Sequence, residues 1–261
     1  MTSIVELAGV HAGETVYVIA AGASASGRGF SEAERNAFRS ATTIAVNHPL
    51  DWLDPTYLVR FDTISILRHD HPNRPVLELL LRALPRYRRE RTTKVVLKET
   101  ERHQFAGALD GYEPDYWFVN RGFRETFRNN DSLPVRNTTT TGALWLAVHM
   151  GALRIIVIGL DLDYEEDPRG SRSSNLPRYK WRVPHHFDDV LDDPPPQGRF
   201  NRDAINTQCT RILNEARAIR PNVEIINGNL GSLCTAFPKI DIHELLVAED
   251  FADRVIEEAA I

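Results

Sequence analysis

Apolar residues along this chain cluster in short runs of β-branched and aromatic side chains, separated by longer stretches with a helical period. Thr15–Ala21 (TVYVIAA), Thr42–Asn47 (TTIAVN) and Thr56–Asp62 (TYLVRFD) are three such runs. Thr93–Lys98, Asp115–Asn120, Arg154–Gly159 and Val223–Ile226 are four more. Runs this apolar predict strands buried on both faces, as in a parallel sheet. Ser31 and Glu34 form an S-x-x-E capping box that predicts a helix through about Ser40. Further helices are expected over Pro75–Arg91, after Thr138–Thr141, over Asp203–Arg220, and at Asp241–Val247 and Phe251–Ala260. Strands alternating with helices define an α/β, Rossmann-like doubly wound fold with a mostly parallel sheet.

The centre of this pattern is Asn137–Asp161, a Thr-rich turn, a helix and then the strand Arg154-Ile-Ile-Val-Ile-Gly159. Hydroxyls of Thr138–Thr141 are placed to cap the helix, and Leu144, Ala147, Val148 and Gly151 fall on one helical face. In open α/β sheets ligands bind beyond the carboxyl ends of the strands, so the polar residues flanking this unit are the first candidates for a site.

Other strand ends add to them. The first strand runs into Gly22-Ala-Ser-Ala-Ser-Gly27-Arg-Gly29 and then a helix start. A strand, a glycine-rich loop and a helix N-terminus together hold phosphate on free N–H groups, making Gly22, Ser24, Ser26 and Arg28 candidate contacts. The spacing matches neither G-x-G-x-x-G nor a P-loop, because Arg28 and Gly29 stand where the Lys and Ser/Thr would be. Asn47 and Asp62 close the second and third strands, so three strand ends converge on one crevice; each is also a residue type that caps turns.

After the central unit, residues 163–202 are rich in Pro, Gly, Ser, Asp and Arg, too long for a plain connection, and predict a lid-like insertion in a single domain spanning 1–261. The insertion carries Tyr164, Tyr179, Trp181, His185 and His186.

Composition narrows the classes. Apolar content of 42% and charged content of 26% are those of a globular protein, and a net charge of −5 gives no global attraction to nucleic acid or anionic membrane. The basic run Arg86, Arg88, Arg89, Arg91 complements a helix C-terminus and has no nucleic-acid-binding motif beside it. Two cysteines, Cys209 and Cys234, read as free thiols. Neither a secretory signal nor a transmembrane run is visible, so a cytoplasmic protein is expected.

Several patches recur in a recognisable order: HAGETVYVIAAGAS, IAVN, P-x-YLVRFD, TTTTGALWLAVHMGALRIIVIGLDL, and IINGNLGSLCTAFPKIDIHELL. This order resembles the bacterial lipooligosaccharide sialyltransferases of glycosyltransferase family 42, and the proteins of unknown function related to archaeal 6-hydroxymethylpterin diphosphokinase. The transferase resemblance implies a Rossmann-like enzyme that uses a CMP-linked sugar without an essential metal. It implies nucleotide contacts from Gly22 and Ser24, a donor-phosphate contact from Asn47, and cytidine contacts from Thr140, Thr141 and Gly142. It places the general base at His185 or His186 and phosphate-binding tyrosines at Tyr164 and Tyr179. The family's G-N-G-P-S stands here as Ala20-Ala21-Gly22-Ala23-Ser24.

Glycosyl transfer needs a base for the acceptor hydroxyl, a role suited to neutral histidine, and groups that stabilise the leaving phosphate. The expected partners are a nucleotide sugar and a glycan or small-molecule acceptor, with self-association left open. Asp161-Leu-Asp163 is a D-x-D at a strand end, a pattern that holds Mg²⁺ or Mn²⁺ in metal-dependent nucleotide-sugar enzymes; Asp161 positioning a loop is the plainer alternative. Two alternatives to the transferase remain. One is a Mg²⁺-dependent diphosphokinase with Asp62, Asp161 and Asp163 as ligands. The other is a nucleotide- or glycan-binding module without chemistry, suggested by Ala21 and Ala23.

Overall fold

The computed structural model describes residues 2–47, 50, 52–60, 74–98, 114–120, 132–133, 138–162, 165–166, 179–180, 199–200 and 202–247. In chain order the elements are β1 (Thr2–Ser3), β2 (Thr15–Ile19), α1 (Glu32–Ser40), β3 (Thr42–Val46) and β4 (Tyr57–Arg60). Next come α2 (Arg74–Glu90), β5 (Lys94–Lys98), β6 (Tyr116–Asn120), β7 (Ser132–Leu133), α3 (Thr139–Met150) and β8 (Arg154–Ile158). Three short strands follow, β9 (Glu165–Glu166), β10 (Tyr179–Lys180) and β11 (Arg199–Phe200), and then α4 (Arg202–Ile219), β12 (Glu224–Asn227) and α5 (242–247).

The main sheet has the order β1-β6-β5-β4-β3-β2-β8-β12 with β7 on β6, and every pairing in it is parallel. The seven runs singled out in the sequence all form strands of this sheet. β1 and β7 are two more that the sequence did not announce, because two residues carry no period. From β2 the chain steps outward through β3 to β6, then returns through β8 to the other side of β2. The reversal between β2 and β8 is the switch point at which doubly wound sheets bind ligands. β9, β10 and β11 form a separate antiparallel sheet.

Side chains alternate between the two faces and build two cores. On one face Val16, Val18, Ile44, Val46, Ile155 and Val157 pack with α3 and α4. On the other, Tyr17, Ile19, Ala45, Leu58, Ile156 and Ile158 pack with Phe38 of α1, Leu84 and Tyr87 of α2, and Ile242 and Leu246 of α5. Helices on both faces complete the doubly wound architecture.

Two local expectations are corrected. α3 is not one-sided: Thr139 and every residue from Thr141 to Met150 are buried, because the helix lies between the sheet and α4. It also begins one residue after Thr138, so Thr139–Thr141 are inside its first turn rather than ahead of it. The loop after β2 is folded into two 3₁₀ turns at Ala23–Ala25 and Gly27–Gly29. The capping box forms as expected, with Ser31 Oγ accepting from the Glu34 N–H and Glu34 Oε2 accepting from the Ser31 N–H. Cys209 and Cys234 are free thiols, both buried. The expected helix at Phe251–Ala260 and most of the 163–202 insertion lie outside the described residues.

Candidate functional site

The site grows from how β2 and β8 end. The Ala20 N–H donates to the Ile158 carbonyl (2.8 Å) and the Gly22 N–H to the Gly159 carbonyl (2.9 Å), so the two chains remain paired past the last strand residues. Gly159 makes this approach with φ +76°, and a Cβ there would lie 2.7 Å from the Ala20 carbonyl oxygen. Gly22 is required for a different reason: its Cβ would lie 2.5 Å from Asp161 Oδ2 and 2.5 Å from the Gly159 carbonyl.

Asp161, 5% exposed, is the node of this crossing. Ser24 donates its N–H to Oδ2 (3.0 Å) and its hydroxyl to Oδ1 (2.5 Å), and Asn229 Nδ2 donates to Oδ1 (2.8 Å). The Ser24 hydroxyl in turn accepts the Gly159 N–H at 3.0 Å. A carboxylate taking three hydrogen bonds in a buried setting is a strong fastener, because charge-assisted bonds are the stronger kind. It binds the loop after β2, the end of β8 and the loop after β12 into one unit.

Behind it the β12 loop is fixed by Asn227 and Ser232. Asn227 Nδ2 donates to the Leu160 carbonyl (3.1 Å) and to Ser232 Oγ (2.9 Å), while the Ser232 hydroxyl donates to the Leu160 carbonyl (2.6 Å). Neither residue was singled out in the sequence. The N-G-N turn was the available signal, but the Leu160 carbonyl that Asn227 and Ser232 share lies 67 residues from Asn227.

The remaining candidates are distributed around the same carboxyl edge. Asn47, with φ +72°, turns the chain away from β3 and donates its N–H to the Val59 carbonyl at 2.8 Å. Its side chain is half-buried. Arg60 Nη1 donates to the Asn47 carbonyl at 2.5 Å, and this guanidinium is 2% exposed. This buried arginine closes β4, and the pattern TYLVRFD hid it inside a hydrophobic run. Because helices run antiparallel to the strands, the N-terminus of α3 reaches this edge too, packing across β2 and β3. Thr138 caps it, its Oγ1 accepting the Thr141 N–H at 3.2 Å. The Thr141 hydroxyl is turned back to the Thr138 carbonyl (2.8 Å), Gly142 is buried, and Thr140 is half-buried.

Gly22, Ser24, Asn47, Thr140, Thr141, Gly142 and Asp161 are thus carried by elements that end or begin at one edge of the sheet. Ser26, half-buried, precedes the second 3₁₀ turn and donates its N–H to Ala23, and Arg28 is exposed on that turn. Tyr179 lies in β10, opposite Phe200 and Glu166. Asp62, Asp163, Tyr164, His185 and His186 lie outside the described residues. Among the described residues no group of three His, Cys, Asp or Glu side chains is placed to hold a metal ion. No helix among them is long and apolar enough to cross a membrane.

These features define a Rossmann-like α/β protein with its candidate crevice at the β2/β8 switch point. The chain matches no protein-family profile, and no curated protein matches it significantly in sequence. Solved structures do share its fold. The MAf glycosyltransferase of Magnetospirillum magneticum AMB-1 aligns over 96% of this chain with a TM-score of 0.53 and 11% identity. The present chain spans 40% of that protein's length. The sialyltransferase CstII of Campylobacter jejuni, determined with cytidine-5'-monophosphate, aligns over 87% of this chain and 84% of its own, with a TM-score of 0.44 and 10% identity.

Proposed function

We propose that this protein is a glycosyltransferase that binds a nucleotide-activated sugar in the β2/β8 crevice, with a CMP-linked donor favoured. The observation that supports it most is the assembly around Asp161. It holds the loop after β2 rigidly beside the end of β8, at the one place where a doubly wound sheet offers a ligand crevice. In this reading Asp161 is a positioning residue rather than a metal ligand, since its oxygens are already engaged by Ser24 and Asn229. Asn47 and Thr140, half-buried at the same edge, are the side chains available to touch the ligand. The α3 N-terminus supplies positive potential of the kind a departing nucleotide phosphate requires.

The fold shared with a glycosyltransferase is consistent with this chemistry. The preference for cytidine rests on the resemblance of Thr140-Thr141-Gly142, and of the strand ends around it, to the family 42 sialyltransferases. His185 and His186 are the bases that resemblance assigns.

A ligand-stabilisation screen tests the reading. Thermal unfolding is followed with CMP, UDP, GDP, ATP and their sugar conjugates, with EDTA or with Mg²⁺ or Mn²⁺. Stabilisation by CMP and CMP-sialic acid in EDTA is the expected result. Stabilisation by ATP only with Mg²⁺ would instead favour the diphosphokinase, and tight CMP binding without turnover of any CMP-sugar would favour a binding module.

A further inference from the structure

A carboxylate–histidine pair joins the first turns of α1 and α5, and none of the site assignments uses it. Glu34 is the third residue of α1 and His243 the second of α5, far apart in sequence. Both helices start at the carboxyl edge of the sheet, and both pack on the same face: Phe38 of α1 and Ile242 of α5 share one core with Ile19 and Ile158. Ile19 ends β2 and Ile158 ends β8, so the core the two helices share includes the last residues of both switch-point strands.

His243 Nδ1 lies 2.6 Å from Glu34 Oε1. A carboxylate only accepts, so Nδ1–H is the donor, and the neutral ring carries its lone pair on Nε2. Glu34 is held in place, its side chain 10% exposed and its other oxygen taking the Ser31 N–H at 2.6 Å. Burial raises its pKa, but the hydrogen bonds from Ser31 and His243 outweigh this and leave it below the usual value, so it is ionised near neutrality. The imidazole is 49% exposed, and Nε2 makes no hydrogen bond among the described residues. The Phe30 ring, at the end of the loop after β2, lies 5.3 Å from the imidazole, tilted by 39°. The other charged groups at this corner are Asp241, which accepts the His243 backbone N–H, and Arg35, whose guanidinium is turned to the Gly27 and Phe30 carbonyls.

We propose that the Glu34–His243 pair is the proton acceptor of the transfer reaction, with Nε2 as the atom that receives the proton. The inference rests on the glycosyltransferase reading and assigns the base to α5 in place of His185 or His186. In the step, the acceptor hydroxyl gives its proton to His243 Nε2 and its oxygen forms the bond to the anomeric carbon. The anomeric C–O bond to the nucleotide phosphate breaks, and its electron pair leaves on the phosphate oxygen. Glu34 fixes the tautomer and balances the imidazolium that forms, the usual task of a carboxylate behind a catalytic histidine. Glu34 was legible only as half of a capping box and His243 only as part of a quoted patch; the fold alone joins them.

The test is turnover of CMP-sialic acid, with water as the acceptor, as a function of pH for wild type, His243→Gln, Glu34→Gln and the double variant His185→Ala/His186→Ala. The expected result for His243→Gln is a loss of kcat of about a hundredfold or more, KM for the donor little changed, and disappearance of the acidic limb of the pH profile. Glu34→Gln, which keeps an acceptor for Ser31, should lose less and shift that limb. A His243→Gln enzyme with lower thermal stability but unchanged kcat and pH limb would make the pair a clasp between α1 and α5 and overturn the proposal. So would loss of the limb in the His185/His186 variant alone. If wild type turns over no nucleotide sugar, the functional reading itself fails and the proposal with it.

Discussion

A side chain at Gly22 would collide with both groups that define the crossing, Asp161 Oδ2 and the Gly159 carbonyl. Neither is the free end of a flexible chain: the carbonyl belongs to the backbone, and the carboxylate is tied to Ser24 and Asn229. Gly22→Ala is therefore expected to cost about 1–3 kcal/mol in urea unfolding and to abolish nucleotide-dependent stabilisation. Asp161→Asn turns an acceptor of three bonds into a group that must present an N–H to at least one donor. A loss of about 1–3 kcal/mol is expected from the unsatisfied pair. Unchanged stability in this variant would show that the carboxylate does not fasten the loops.

His149 offers a test of sign. Its Nε2–H donates to the Ile4 carbonyl at 2.7 Å within the core on the α3 side. Burial lowers its pKa from the ordinary value of 6.5, the Ile4 carbonyl opposes that, and Arg220 lowers it further. The folded protein thus binds fewer protons here than the unfolded chain. The contribution to stability is fully present above 6.5 and is lost as pH falls from there toward the depressed folded value. Chemical denaturation between pH 7.5 and 5.5 should therefore show a steeper loss in wild type than in His149→Gln. Equal slopes would contradict the assignment.

At the scale of elements, the helix starts of α1 and α3 at the carboxyl edge have distinct roles. Ser31 and Glu34 close α1 reciprocally, so Ser31→Ala is expected to cost about 1 kcal/mol and to loosen the seat of Glu34. Thr138→Ala removes the acceptor for the Thr141 N–H, with a similar expected cost, and in addition weakens ligand binding at the α3 N-terminus. Strands were the legible elements, because continuous β-branched runs such as RIIVI mean burial on both faces whatever lies around them. The Ser31 capping box was legible because its chemistry is local. α3 was read as one-sided, since a period in sequence shows where apolar residues recur but not how many neighbours the fold stacks around them. The bonds of Asp161, the Asn227–Leu160 bond and the Glu34–His243 bond were invisible for a related reason: each joins segments that only the doubly wound topology brings together. Arg60 illustrates the same limit, a charge inside an apolar run whose carbonyl partner lies at the end of the adjacent strand.

For the whole molecule, the order of strands sets the function that can be hosted. Reversal between β2 and β8 opens one crevice, and the loops after β2, β8 and β12 are locked there by a single carboxylate. The helices α1, α3 and α5 begin around it. The resemblance to the family 42 sialyltransferases implies cytidine contacts from Thr140, Thr141 and Gly142, which lie in the first turn of α3. The most direct test is calorimetric titration of CMP in EDTA into wild type and Asn47→Gly. Glycine keeps the φ of +72° without strain and removes only the half-buried amide. The account predicts saturable binding to wild type and affinity lower by about tenfold in the variant, equivalent to about 1.4 kcal/mol. Absence of CMP binding to wild type, or identical affinity in the two proteins, would contradict a cytidine nucleotide at this crevice.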